Sequence, residues 1–152
     1  MLIGRNNPEY KAKDDYYTPP SVFERLRLHF DLDVCAPEGG LDWIPANKHY
    51  SLKENGLIQP WFGRVWCNPP YSASKLWVEK FIAHNNGVML VQIAKSKTFE
   101  KIWALVDGIV PLFENIKFID IEGKKKGIFM PTMLIAMGKE NCDAIAKFNR
   151  VR

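Results

Sequence analysis

A chain of 152 residues is long enough for one domain and short for two. Its 47% hydrophobic and 25% charged content belongs to the soluble globular class, and no run has the length of a bilayer span or the pattern of a secretory leader. A net charge of +4 suits a nucleic-acid partner without requiring one. Residues 1–13, with Asn6, Asn7, Pro8, Lys11 and Lys13, read as a mobile N-terminal segment ahead of a domain spanning 14–152. Asp14 to Pro20 is polar and turn-rich. Val22, Phe23, Leu26 and Phe30 recur at helical spacing, which predicts a short helix over Val22–His29 started by Thr18 or Ser21. Phe30 to Cys35 reads as a buried strand, the central first strand of an open sheet.

From Ala36 to Pro60 the chain is punctuated by Pro37, Gly39, Gly40, Pro45, Asn47, Asn55 and Gly56, with a short strand over Asn47–Ser51. A loop of this length in a small domain is usually functional. Strand Val65–Cys67 follows, then a helix over Ser72–Asn85 with Leu76, Val78, Phe81 and Ile82 on one side. Val88, Met89, Leu90 and Val91 make Gly87–Ile93 a buried strand. Thr98–Val106 reads as a helix, and Ile109–Phe113 and Ile116–Ile121 as strands. Glu122–Gly127 is a basic turn, Thr132–Met137 the last strand, and Asn141–Val151 a closing helix. The alternation of helices and apolar strands predicts an α/β sheet with helices on both faces. The turn between the last strands makes them antiparallel to each other. Trp61, Trp66, Trp77 and Trp103 are expected in the core, because buried aromatics dominate cores.

Cys35, Cys67 and Cys142 are odd in number, widely spaced and free of any Cys-x-x-Cys pattern, so neither a zinc ribbon nor a disulfide framework is indicated. Reduced thiols point to a reducing compartment and a cytoplasmic protein. His29, His49 and His84 stand apart without metal spacing, and no metal site is expected.

The chemistry concentrates at Asn68-Pro69-Pro70-Tyr71, directly after Val65-Trp66-Cys67. Two prolines fix φ and remove two backbone donors, so the chain leaves the sheet with carbonyls free to accept. An asparagine amide oxygen and a neighbouring carbonyl offer two acceptors to one planar NH₂ group, and a tyrosine ring can stack on the same partner. Holding both N–H bonds of a conjugated amine favours a pyramidal nitrogen and returns its lone pair to the reacting atom. Those acceptors grow in value as positive charge develops, so they favour the transition state. A Pro-Pro loop capped by Asn after a strand is the plainer account of the same residues.

This stretch resembles the catalytic motif of S-adenosylmethionine-dependent amino-methyltransferases. Further pieces resemble one branch, the phage-type DNA N-6-adenine methyltransferases (Dam-like). In order they are Tyr17-Thr18-Pro19, Phe30 to Pro37, Asn55-Gly56-Leu57 with Trp61, Val65 to Ser72, and Trp77 with Lys80. The resemblance runs from about Asp15 to about Met137. It implies a Rossmann-like methyltransferase fold in a compact single domain, an open, mostly parallel sheet ending in an antiparallel hairpin. The cofactor then lies beyond the carboxyl ends of the central strands, where open α/β sheets bind ligands and where Asp33 and Asn68 fall.

The resemblance assigns catalysis to Asn68, Pro69, Pro70 and Tyr71. Asn68 and the Pro69 carbonyl hold the amine, Pro70 stiffens the loop and Tyr71 stacks on the base. It assigns S-adenosylmethionine binding to Tyr17, Thr18, Pro19, Asp33, Ala36 and Asn55. Asp33 also reads as a turn cap, Tyr17-Thr18-Pro19 as a helix start and Asn55 as a turn residue. The Gly-x-Gly that follows the first strand in many methyltransferases is replaced by Asp33-Val34-Cys35-Ala36-Pro37, and Glu114-Asn115-Ile116-Lys117-Phe118 lacks the arginine of a Gly-Arg pair. Lys124, Lys125 and Lys126 form a candidate DNA-phosphate tip or a solvated turn. Phe129-Met130-Pro131-Thr132 is a candidate wall of a base pocket or simple packing.

The reading is a DNA adenine-N6 methyltransferase in which the nitrogen of a flipped-out base attacks the sulfonium methyl in line. Its partner is double-stranded DNA and not a membrane. With no separate recognition domain visible, specificity is slight or comes from a homodimer or from loops such as Ala36 to Pro60. Two alternatives remain: an amino-methyltransferase acting on cytosine N4 or protein glutamine, and a nucleic-acid or nucleotide-binding module without catalysis.

Overall fold

The computed structural model describes residues 16–113, 116–120, 122–126 and 131–149. The expected mobile segment 1–13, and residues 127–130 with the proposed Phe129-Met130 wall, lie outside them. The chain forms helix α1 (Pro20–Leu26), strands β1 (Phe30–Asp33), β2 (Ala46–His49) and β3 (Val65–Cys67), helix α2 (Ser74–His84), strand β4 (Gly87–Gln92) and helix α3 (Lys97–Leu105). Strands β5 (Gly108–Leu112), β6 (Phe118–Ile119), β7 (Lys125–Lys126) and β8 (Thr132–Met137) and helix α4 (Lys139–Ile145) complete it.

One six-stranded sheet has the order β2-β1-β3-β4-β8-β5. Strands β2, β1, β3 and β4 are parallel, while β8 runs antiparallel to both β4 and β5. The α/β class, the mostly parallel sheet and its antiparallel C-terminal element are as the sequence predicts. The antiparallel strand is placed differently from a terminal hairpin: β8 returns between β4 and β5. Among the described residues the expected partners, Ile116–Ile121 and Thr132–Met137, do not pair with each other: β6 pairs with β7, which falls within the expected Glu122–Gly127 turn, in a sheet of its own. A turn signal fixes the direction of the strands beside it and carries no information on which third strand they join.

Side-chain alternation along the strands builds two apolar layers. Trp66, Val88, Leu90, Leu134 and Ala136 face Val22, Phe23 and Leu26 of α1 and Ala144 and Ile145 of α4. Val65, Cys67, Met89, Val91, Met133 and Ile135 face Trp77, Val78 and Phe81 of α2 and Ile102 of α3. Helices therefore cover both faces, and β4 is apolar at nearly every position because it is buried on both sides. Two local expectations fail. Neither Thr18 nor Ser21 caps α1; Pro19 precedes it without a side-chain cap, and Pro20 at the first position supplies a pre-set φ. Trp103 is 71% exposed, because α3 packs through Ile102 and turns the next residue outward.

The chain steps from β1 to β2 on one side and then to β3 on the other. That reversal makes the crevice beyond the carboxyl ends of β1 and β3 the topological switch point of the sheet.

Candidate active site

Asp33 ends β1 and pairs in register with Trp66, so Asn68 emerges beside it two residues later. Pro69 and Pro70 are buried and end the strand. The Pro70 carbonyl accepts from the Ala73 N–H at 3.1 Å, closing a 3-10 turn over Tyr71–Ala73 that feeds α2. Among the described residues no backbone N–H is bonded to the Pro69 carbonyl. Asn68 donates through Nδ2 to the Tyr16 carbonyl at 2.6 Å and to the Thr18 hydroxyl at 3.2 Å. The Tyr71 ring stacks on Tyr16, with centroids 5.9 Å apart and planes 25° from parallel, and Tyr16 meets Phe118 edge-on at 6.1 Å.

The Tyr16–Thr18 strap is pinned from outside as well. Tyr17 exchanges backbone hydrogen bonds of 2.8 and 2.9 Å with Ile119 of β6. Trp43 donates through Nε1 to the Thr18 carbonyl at 2.9 Å. The Pro19 carbonyl accepts from Val22. The polar groups of Thr18 and Pro19 are therefore engaged with protein. Toward a cofactor these two residues offer shape more than hydrogen bonds.

Asp33 is 3% exposed, and its Oδ1 accepts one bond, from the Cys35 N–H at 3.2 Å. Burial pushes its carboxyl up to about 7, against the weaker pull of that N–H. Among the described residues no cation pairs with it. Burial, and after it the nearby Asp33, also pushes the Cys35 thiol up, and the Cys67 thiol rises mainly through burial. Both thiols therefore stay protonated and unreactive. Ala36 is buried, and its N–H donates to the Tyr50 carbonyl at 2.9 Å, so the turn after β1 is held without the glycine pattern.

Asn55 adopts a left-handed conformation at φ 60°, and its Oδ1 accepts from the Leu57 N–H at 3.2 Å. The next residue, Gly56, presses on the end of β1: a Cβ there would lie 2.0 Å from the Val34 carbonyl oxygen. Only glycine permits that approach, and it brings the Asn55 loop to the same sheet edge as Asp33. Sequence reasoning named Lys80 only as part of the family resemblance and gave it no role. Its ammonium donates to the carbonyls of Gly56, Leu57 and Gln59 and sits 5.2 Å from the Trp61 ring. Trp61 adds a bond from Nε1 to Gly56 O at 2.7 Å. Lys80 thereby pins the whole loop to α2. In sequence it is an ordinary charged position on a helix face, and nothing local to it reveals the three carbonyls it will meet. Tyr16 was missed likewise, standing one residue before the Tyr17-Thr18-Pro19 stretch.

The structure thus brings Tyr17, Thr18, Pro19, Asp33, Ala36 and Asn55 to the edge that carries Asn68 to Tyr71. Lys124 and Lys125 stand apart, at the β6–β7 hairpin. Asp120 holds its turn by accepting from the Glu122 and Lys124 N–H groups at 2.9 Å each. The Lys124 ammonium lies 3.5 Å from Glu122 with most of its side chain in solvent. Lys126 pairs with Phe118 in the same hairpin. A cavity of about 480 Å³ opens next to Tyr71, between the N-terminal ends of α2 and α3. Val78, Val91, Phe99 and Ile102 give it apolar walls, and Ser74 and Gln92 polar ones. Among the described residues no helix is long and apolar enough to cross a membrane.

Comparison with known proteins identifies a family. A DNA N-6-adenine-methyltransferase of Escherichia phage T1 is 33% identical over 104 residues, covering 62% of this chain and 42% of the phage protein. The chain therefore spans less than half the length of that relative. The family of DNA N-6-adenine-methyltransferases (Dam) matches residues 5–148, nearly the whole chain, and the chain belongs to that family.

Proposed function

We propose that this domain transfers a methyl group to the N6 amine of adenine in DNA, with S-adenosylmethionine as the donor. The observation that carries this reading is that Asn68, with both amide N–H groups engaged by protein, leaves the sheet at the switch point beside Asp33, a buried carboxyl group with no cationic partner among the described residues. A buried, unpaired carboxylate is costly unless something cationic binds it. The Asp33 site therefore fits an ammonium group such as that on the amino acid end of the donor. S-adenosylmethionine, when bound, supplies an electrophilic methyl on a sulfonium.

The protein's part is position and electrostatics. The Asn68 Oδ1 and the Pro69 carbonyl accept the two N–H bonds of the target amine and stabilise charge as it builds on nitrogen. Tyr71 stacks on the base, which is taken out of the duplex to reach Asn68. Asp33, Ala36 and Asn55 flank the donor, with Tyr17, Thr18 and Pro19 as a wall. Lys124, Lys125 and Lys126 meet the phosphate backbone and do not read sequence. The test is mass analysis of nucleosides after incubating unmethylated DNA with protein and donor. N6-methyladenine that disappears in Asn68→Ala is the expected result. N4-methylcytosine would move the target to cytosine, and DNA binding with no methylated nucleoside would leave a binding module.

A further inference from the structure

We propose that Thr18 and the Tyr16 carbonyl form an orientation lock on Asn68, and that the lock makes this site selective for an amide over a carboxylate at that position. The inference rests on the methyl-transfer reading and deepens it. It begins with an assignment that chemistry forces. A backbone carbonyl can only accept, so the atom 2.6 Å from the Tyr16 oxygen must be the amide nitrogen of Asn68 and not its oxygen. The second N–H of the same nitrogen goes to the Thr18 hydroxyl at 3.2 Å. Both donors of the amide are engaged, and among the described residues no donor is bonded to its Oδ1.

An unlocked asparagine could turn its NH₂ outward and present a donor to an amine that is itself a donor. The lock leaves an acceptor as the only face on offer. Thr18 is 1% exposed, so water has little access to replace its hydroxyl. The strap cannot drift, because Tyr17 is bonded to Ile119 on one side and Trp43 holds the Thr18 carbonyl on the other. Thr18 is on this account a positioning residue, acting through Asn68. The same geometry defines what position 68 tolerates. Asn68→Asp keeps the shape and offers a stronger acceptor to the amine. It also sets a carboxylate oxygen against the Tyr16 carbonyl oxygen, where like partial charges repel.

Four variants of the full chain test the proposal in two independent ways. In methyl transfer, Thr18→Val is expected to lower kcat about tenfold with little change in donor KM, the loss of one hydrogen bond. Thr18→Ser is expected to recover most of that loss, and Asn68→Asp to fall towards Asn68→Ala. In nitrogen-15 NMR, the Asn68 side-chain NH₂ signals, assigned by their loss in Asn68→Asp, should be protected from solvent exchange in the native protein and lose protection in Thr18→Val. Wild-type turnover in Thr18→Val, full activity in Asn68→Asp, or unchanged exchange would each overturn the lock. A native protein that methylates nothing would sink the methyl-transfer reading, while the exchange measurement still decides the lock.

Discussion

The two faces of the sheet are built from the same strands and end differently. On the α1/α4 face, Phe23, Phe30 and Trp66 meet edge-to-face, with Phe23 and Trp66 centroids 4.8 Å apart, and the layer closes around them. On the α2/α3 face the layer is equally apolar in its middle. Toward the carboxyl ends of β3 and β4 it opens into the cavity beside Tyr71. On the first face the described rings interlock; on the other, room opens where the chain turns out of the sheet. Stability and chemistry should therefore separate by face and by depth, and each substitution below sets one against the other.

The largest effect on folding is expected from Trp66→Ala. The side chain is fully buried against Phe23 and Phe30, and its removal leaves a cavity that rigid strands cannot collapse. A loss of about 3–5 kcal/mol in urea unfolding is expected. A loss below about 1 kcal/mol would mean that the layer around Trp66 is not tightly packed. One residue after Cys67, Asn68→Ala should reverse the pattern. It is expected to lower turnover about 10²–10³-fold, as does removal of one preorganised transition-state hydrogen bond. Its unfolding midpoint should move far less than that of Trp66→Ala. Equal losses of stability would make Asn68 a part of the core and not of the site.

Lys80→Met comes next. It keeps most of the stem and removes the ammonium that ties three loop carbonyls to α2. Hydrogen bonds to a charged donor support a loss of about 2 kcal/mol. Because the pinned loop carries Asn55 and presses Gly56 on Val34, donor affinity measured by calorimetry should weaken as well. Unchanged affinity would detach that loop from the donor site.

Asp33 gives the pH dependence. Its carboxyl lies at 3.8 by default and about 7 in the fold, so the folded state holds the proton more tightly than the unfolded chain. The stability this contributes is complete below 3.8 and is lost as pH rises through about 7. Between those values the midpoint of Asp33→Asn should rise relative to wild type. Donor binding should run the other way: a cation favours the ionised carboxylate, so wild-type affinity falls as pH drops below about 7 and a proton is released on binding. Calorimetry in buffers of different ionisation enthalpy reads that proton. Its absence would remove Asp33 from the donor site.

How much of this was legible follows from the range over which each feature is determined. The apolar run Val88 to Val91 and the side pattern of α2 are local, and both elements appear where the sequence puts them. The turn-out of the sheet at Asn68 was legible because strand and prolines are contiguous. The bond from Asn68 to Thr18 joins residues 50 apart, and the local Thr-Pro pattern fits a helix start just as well. The position of β8 between β4 and β5, and the outward turn of Trp103, depend on partners that only the assembled sheet supplies. Non-local pairings leave no periodic trace.

The smallest effects belong to the tip of the β6–β7 hairpin, which is exposed although Phe118 at its base is buried in the α1/α4 layer. Lys124 lies in solvent near an equally exposed Glu122, so its ion pair adds little to stability, and Lys124→Ala should leave the unfolding midpoint unchanged. Its consequence should appear only with DNA. A lysine that neutralises one phosphate contributes about 0.9 to the slope of log affinity against log salt, uniformly across sequences. Lys124→Ala and Lys125→Ala should each flatten that slope by this amount while leaving kcat at saturating DNA intact. The hairpin is bonded to the strap through Tyr17 and Ile119, so a fall in kcat would be informative. It would mean that the strap passes tension from the hairpin to Asn68, and that phosphate binding and catalytic geometry are one mechanical unit.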